Sequence, residues 1–494
     1  MCVMKTILAI DQGTTGTRAF LMNENLEVLS QAYEEFPQYF PKPGWVEHSP
    51  EEIWQSTLKT ISQAISNNPH EIVAIGITNQ RETLCFWDKS TGLPTSRAIV
   101  WQDRRTSDFC ESLKEKGLEP KFQKKTGLLL DPYFSGSKAA WALKNDPEVQ
   151  SLHSKGKLAI GTIDSYLMAR LSGGKSHVTE PSNASRTLAF DIEKENWSDE
   201  LSTYLGVPTH LWPETKDSMG LFTKTFNVPG LPDGIPVTGV LGDQQSALLG
   251  QACIEEGMAK CTYGTGAFLL MNTGNKKIES QNRLLSTIAW KLSGEKPTYA
   301  LEGSAFVAGA AVQWLRDGLQ IINHSSEIEP LALQVEESDG LIFVPALTGL
   351  GAPHWNPKAT GMFTGIHRGT TKSHFARAVL EGIAFQNSDI LSAMETDLHR
   401  PLISLNVDGG ASKNKTLMQF QSDILNVPLN RPQMIESTVL GAVFAAGMGV
   451  GLWSSLKDIQ KVWKKDCTFE PSMEPETRNE HLLRWKKAIQ RVSL

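Results

Sequence analysis

An echo inside the chain limits the fold more than any other feature. GTRAFLMN at residues 16–23 lines up with GTGAFLLMN at 264–272, one residue longer, and each is a glycine-threonine turn feeding an apolar strand. LNVDGGASKN at 405–414 extends the likeness, because a strand again ends in a glycine-rich turn before a helix. At 494 residues the chain is also too long for one ordinary core. Length and echo together predict two related α/β domains, 1–250 and 251–494, facing each other across a cleft.

Residues 5–34 alternate apolar runs with short polar breaks, which predicts a three-stranded antiparallel start. SPEEIWQSTLKTISQAI then opens a helix, with Ser49 as N-cap, Pro50 at the first helical position and Glu52 completing a capping box. Trp54, Leu58, Ile61 and Ile65 recur at helical spacing and mark its buried face. EIVAIGI (71–77) is apolar throughout, as a strand buried on both faces must be, and it runs straight into TNQRET. IPVTGVLGDQQSALLG repeats the form, a buried strand ending at Gly242–Asp243 and passing into a helix. Ligands collect at the carboxyl ends of strands in such sheets, so both polar tips are candidate site residues by position.

Lys+Arg 48 against Asp+Glu 54 leaves a net charge of −6, which argues against a nucleic-acid or anionic-membrane partner. No apolar run reaches the roughly 18 residues of a membrane helix. The nearest, Val439–Trp453, is rich in glycine and alanine, as a helix packed closely in a core would be. The N-terminal apolar stretch is broken by Asp11 and lacks a cleavage site, so it does not read as a signal peptide. Cys2, Cys85, Cys110, Cys253, Cys261 and Cys467 form no CxxC pair or zinc spacing, and a reduced, cytoplasmic protein is expected.

The turn at 11–18 offers Asp11, the hydroxyls of Thr14, Thr15 and Thr17, two glycines and Arg18. It reads either as a plain hairpin or as a nest of donors for phosphate, with Asp11 beside it to hold magnesium. GGKS at 173–176 is not a P-loop, since Ala169 stands where the first glycine belongs, and no cluster completes G-x-G-x-x-G. Any nucleotide is therefore held by hairpin turns. Arg81 and Glu82 are either a solvated pair or a donor and acceptor for neighbouring hydroxyls of a polyol. Trp101 is core or a flat wall for a carbon chain, and Tyr133 is packing or a ligand donor. Asp243 is either a helix cap or a general base for an attacking hydroxyl.

The ordered set AIDQGTTGTRA, PGWVEHSPEEIW, GITNQRETLCFWD, AIVWQDRR, DPYFSGSK, GDQQSALLG, YGTGAFLLMNTG, GLGAPHWNP and VDGGASKNKTLMQFQSDIL resembles the glycerol kinases. These belong to the carbohydrate kinases built on the actin and heat-shock ATPase fold. The resemblance runs from about residue 5 to residue 450. It implies two actin-like (ribonuclease H-like) domains, each a mixed five-stranded sheet flanked by helices. It also implies ATP-dependent phosphorylation of glycerol to sn-glycerol 3-phosphate, feeding glycerol catabolism, with Mg2+ and in a homodimer or homotetramer. Residue by residue, Arg81, Glu82, Tyr133, Asp243 and Gln244 would hold the glycerol hydroxyls and Trp101 would face the carbon chain. Asp243 would be the base, and Asp11 and Asp243 would attend the metal. Thr14, Thr15, Gly16 and Arg18 would meet the nucleotide phosphates, and Thr265, Gly309, Gln313, Gly410 and Asn414 the rest of ATP.

Two departures stand out. Many relatives have a pair of serines where this chain has Gly16 and Thr17, so one side-chain donor is missing, which bears on phosphate affinity rather than on the chemistry. FNVPGLPDGIP, before the GDQQ strand, has no Arg, Lys or His. That predicts neither allosteric control by a sugar bisphosphate nor phosphorylation of a histidine there, as some bacterial relatives have.

Overall fold

The computed structural model describes residues 4–66, 70–356 and 358–492; Cys2 lies outside the described residues. The opening runs form β1 (Lys5–Gln12), β2 (Gly16–Asn23) and β3 (Val28–Glu35), an antiparallel trio as the alternation predicts. Helix α1 (Pro50–Ile65) starts where the Ser49 hydroxyl accepts from the Glu52 N–H. Only half of the capping box forms. The Glu52 carboxylate accepts from the Tyr39 hydroxyl at 2.7 Å, so a neighbouring phenol takes the place of the backbone N–H. Ile53, Trp54, Thr57, Ile61 and Ala64 form the buried face of α1, while Leu58 and Ile65 are half-buried at its margin.

β4 (Glu71–Asn79) returns parallel to β1, and the chain then enters a separate four-stranded sheet at Leu84–Asp88. Arg81 and Glu82 lie in the link between the two sheets. Helix α2 (Ser135–Asn145) follows the loop that carries Tyr133. β5 (Met219–Lys224) and β6 (Pro236–Gly242) complete the first sheet in the order β5-β6-β4-β1-β2-β3, and α3 (Asp243–Gly250) leaves directly from β6. β1, β4 and β6 are parallel and end level, with Gln12 opposite Asn79 and Asn79 opposite Gly242. Three carboxyl ends therefore open on one edge.

The second half supplies β7 (Ala259–Tyr263), β8 (Ala267–Gly274), β9 (Leu285–Trp290), β10 (Thr298–Ala305), β11 (Leu405–Asp408), β12 (Leu429–Pro432) and β13 (Lys465–Phe469). They line up as β9-β10-β8-β7-β11-β12-β13. The core β10-β8-β7-β11-β12 repeats the strand order and directions of β3-β2-β1-β4-β6. Both sheets are wider than the five strands expected, with six and seven. Each added strand (β5, β9 and β13) is the antiparallel neighbour of a core strand and covers an edge left open for pairing.

The sequence echo is offset in register. The first turn closes by Gly13 N–H to Gly16 carbonyl at 3.0 Å and the second by Gly264 N–H to Gly266 carbonyl at 2.9 Å. Gly264-Thr265-Gly266 thus answers to Gly13-Thr14-Thr15-Gly16, the first turn being one threonine longer.

Four further helices are α4 (Gly309–Asp317), α5 (Lys415–Leu425), α6 (Ser437–Gly449) and α7 (Pro475–Val492). α6 belongs to the second half of the chain yet packs on β6, β4, β1 and α3. Glycines admit it: a Cβ on Gly76 would stand 2.3 Å from the Ala442 carbonyl, and one on Gly239 2.1 Å from the Ala446 nitrogen. This close approach accounts for the small residues of 439–453, although the helix stops at Gly449, short of Trp453. The basic end of α7 docks through Trp485, Ala488 and Ile489. Cys85, Cys110, Cys253, Cys261 and Cys467 are free thiols. Among the described residues no helix is long and apolar enough to cross a membrane.

Candidate active site

Asp11 and Arg18 face each other across the first hairpin, just below its tip. Burial pushes the Asp11 carboxyl up to about 7; Asp243 and Glu436 add to the rise and Arg18 opposes it. Arg18 reaches to the second half of the chain, where its Nη1 donates to Glu436 at 2.5 Å at the start of α6. The Thr14 hydroxyl accepts from the Trp101 indole N–H at 2.9 Å, and Thr15 is exposed at the tip. Thr17 turns inward, 2.8 Å from the Ser56 hydroxyl on α1. A Cβ on Gly16 would stand 2.7 Å from the Glu34 carbonyl and 2.6 Å from the Tyr33 ring, so a side chain there would run into β3. The serine missing from this position therefore corresponds to space occupied by β3.

Asp243 is the first residue of α3, with Gly242 as the cap, so it is not the N-cap itself. Its Oδ1 lies 3.2 Å from Arg81 Nε and accepts from the Gln244 N–H at 2.7 Å. Burial raises its pKa above the usual carboxylate range, against the pull of Arg81. Arg81 also donates to the Tyr133 hydroxyl at 3.2 Å, and the Tyr133 ring stands edge-on to Trp101 with centroids 5.7 Å apart. The buried Lys138 ammonium of α2 fixes the Tyr133 loop by donating to the Pro132 carbonyl at 2.8 Å and the Tyr133 carbonyl at 2.5 Å. Burial lowers its pKa to about 8. Arg81, Glu82, Trp101, Tyr133 and Asp243 thus come together in one cluster. Gln244 is held differently, its carbonyl accepting from the buried Lys260 ammonium at 2.6 Å.

In the second domain, Thr265 sits exposed at the hairpin tip, and its carbonyl accepts from Ala308 and Ala310 at the start of α4. A Cβ on Gly309 would stand 2.6 Å from the Gly264 carbonyl, which ties that helix end to the hairpin. Gln313 is exposed on α4. Gly409 follows β11 with φ +83, and a Cβ there would lie 2.5 Å from the Tyr263 carbonyl. Gly410 beside it is open, with nothing within 4 Å of a built Cβ. The Asn414 carbonyl oxygen caps α5 by accepting from Leu417 N–H at 2.8 Å, which leaves its amide N–H groups for another partner.

Four residues of this region were not picked out from the sequence: Arg186, Lys260, Glu302 and Glu436. Lys260 and Glu302 carry a signal, each being a lone charge in an otherwise apolar or small-residue strand. Arg186 carries none, because TEPSNASRT reads as a polar surface loop although residues 179–187 are all buried.

The model of the FGGY family of carbohydrate kinases matches this chain with its N-terminal domain at residues 6–250 and its C-terminal domain at residues 259–450. The chain belongs to the FGGY family of carbohydrate kinases. Within it, the chain is 51% identical over 492 residues to glycerol kinase of Myxococcus xanthus, covering 99% of both proteins. It is 53% identical over 486 residues to glycerol kinase of Bacillus subtilis, covering 98% of both. The crystal structure of Plasmodium falciparum glycerol kinase with ADP superposes with a TM-score of 0.94 at 38% identity, covering 99% of each chain. Gluconate kinase of Lactobacillus acidophilus, at 22% identity and a TM-score of 0.88 over 99% of this chain and 97% of that one, shares the fold.

Proposed function

We propose that this chain transfers the γ-phosphoryl group of ATP to a terminal hydroxyl of glycerol, with Asp243 as general base. The observation that carries the reading is the Arg81 guanidinium, which touches Asp243 on one side and Tyr133 on the other. One cation thereby joins a proton acceptor to hydroxyl-binding groups in a cleft of this family.

Arg81, Glu82, Tyr133 and the free amide of Gln244 hold the polyol hydroxyls, and Trp101 covers the carbon chain and limits its length. Asp243 takes the proton of the terminal hydroxyl as its oxygen forms the new bond to phosphorus and the bond to the β-phosphate oxygen breaks, releasing ADP. A carboxylate whose pKa is raised by burial is a better base for that task than an exposed one. Thr14, Thr15, the Gly16 backbone and Arg18 meet the phosphates from one side. Thr265, Gly309, Gln313, Gly410 and Asn414 meet the nucleotide from the other. Phosphoryl transfer rests on such positioning and on charge stabilisation more than on covalent chemistry.

Magnesium suits the donors present. Asp243 and Glu436 each raise the cost of ionising Asp11, and a bound cation would relieve it. One or two carboxylates with substrate oxygens are an ordinary magnesium set. When bound, the ion supplies neutralisation of the phosphate charge. The test is product identity with a panel of acceptors and ATP. Glycerol 3-phosphate as the main product supports the reading, and a pentulose turned over more efficiently than glycerol overturns it.

A further inference from the structure

One partner of Arg81 comes from the other domain. Glu302, on β10, is wholly buried and accepts from Arg81 Nη1, from Arg81 Nη2 at 2.9 Å and from Arg186 Nη2 at 2.8 Å. Arg186 in turn donates from Nε to Glu82 at 2.7 Å, and Glu82 lies 3.5 Å from Arg81 Nε. The four side chains close a ring of alternating charge, none more than 2% exposed. Against the upward push of burial, Arg186 and Arg81 bring the Glu302 pKa down to about 2, so it is ionised.

A buried ion ring is a poor way to gain stability, since desolvation offsets most of the attraction and apolar packing would serve as well. What it gains is direction. Both Arg81 η-nitrogens are engaged by Glu302, and Nη1 also reaches Gln245 at 3.3 Å, which leaves Nε turned toward Asp243. Without the Glu302 charge, the nearest carboxylates to Arg81 are Asp243 and Glu82. A bidentate pair with Asp243 is then the favoured geometry for a freed guanidinium, and it would compete with the acceptor hydroxyl.

We propose that Glu302 and Arg186 are positioning residues for the acceptor site: the second domain supplies, through β10, the charge that orients Arg81 and keeps Asp243 free. The inference rests on the reading above that Arg81 and Asp243 handle the acceptor. It couples the placement of the second domain to the completeness of the polyol cradle. A charge-assisted hydrogen bond is worth enough to move affinity by about tenfold or more.

The experiment measures Glu302→Gln in the full chain with glycerol and a pentulose as alternative acceptors, titrating acceptor and ATP separately. The expected result is a KM for the preferred acceptor raised by about tenfold or more, with the KM for ATP within about twofold. In a double-mutant cycle with Arg81→Lys the two effects on acceptor KM are not additive. If Glu302→Gln does not fold, Arg186→Lys keeps the charge, loses the fork that bridges Glu82 and Glu302, and moves acceptor KM in the same direction. An acceptor KM unchanged, or moving equally with that of ATP, overturns the inference while the wild-type activity stands. A wild type that prefers the pentulose overturns the glycerol reading, and a selective rise in pentulose KM then still supports the clamp.

Discussion

The two hairpins share one backbone plan and differ in what they carry. β1–β2 turns through Gly13–Gly16 with Asp11 and Arg18 opposite each other at its base. β7–β8 turns through Gly264–Gly266 with Tyr263 and Ala267 in the pair that closes the strands. The first tip stands beside Asp243 and its carboxyl environment, whereas the second feeds its carbonyls to the start of α4. The first hairpin carries charged side chains, and the second is tied to α4 through its backbone.

The first way to break that contrast is to remove charge from the first hairpin. Asp11→Asn should lower turnover by roughly 10²-fold, on the scale of losing a group that stabilises charge in the transition state, with glycerol still bound by calorimetry. The same variant carries a pH signature. The Asp11 pKa is raised to about 7 from 3.8, so the folded protein holds an extra proton between those values and loses stability as pH rises through them. In the absence of nucleotide and metal, the melting temperature of the wild type should therefore fall relative to Asp11→Asn between pH 5 and pH 8. A constant difference across that range would remove Asp11 from the strained position assigned to it.

The second hairpin should respond to backbone changes. Gly409→Ala places a Cβ 2.5 Å from the Tyr263 carbonyl at φ +83. It should cost about 1–3 kcal/mol of stability and weaken ATP more than glycerol, as separate KM titrations would report. Equal weakening of both substrates would blur the division between the two sides. A smaller effect is expected at Gly16. Gly16→Ser should cost about 1 kcal/mol through its clash with β3, read as a shift in melting temperature, and should not tighten ATP. Adding fructose bisphosphate should leave activity unchanged, since the loop 226–236 has no cation to receive it.

Much of the framework was legible because it rests on local pattern. The alternation of 5–34, the cap at Ser49 and the apolar runs at 71–77 and 236–242 each announce an element whose partners lie close by in sequence or sheet. Arg81, Glu82 and Asp243 were legible by their place at strand ends and by resemblance, and Tyr133 by resemblance. What escaped depends on contacts made across the molecule. Gln244 is turned by Lys260, the orientation of Arg81 is set by Glu302, and Arg186 sits in a polar segment that the fold buries completely. No periodicity reports such pairings, because each joins residues on different elements. The crowding at Gly16 is of the same kind, because β3 fills the space a side chain there would need.

The most direct test of the account is turnover by Asp243→Asn set beside its binding of glycerol and ATP. The account predicts both ligands bound with affinities near those of the wild type and glycerol-dependent ADP release reduced by roughly 10²-fold or more. Near-normal ADP release in that variant would contradict it and take the base role away from Asp243.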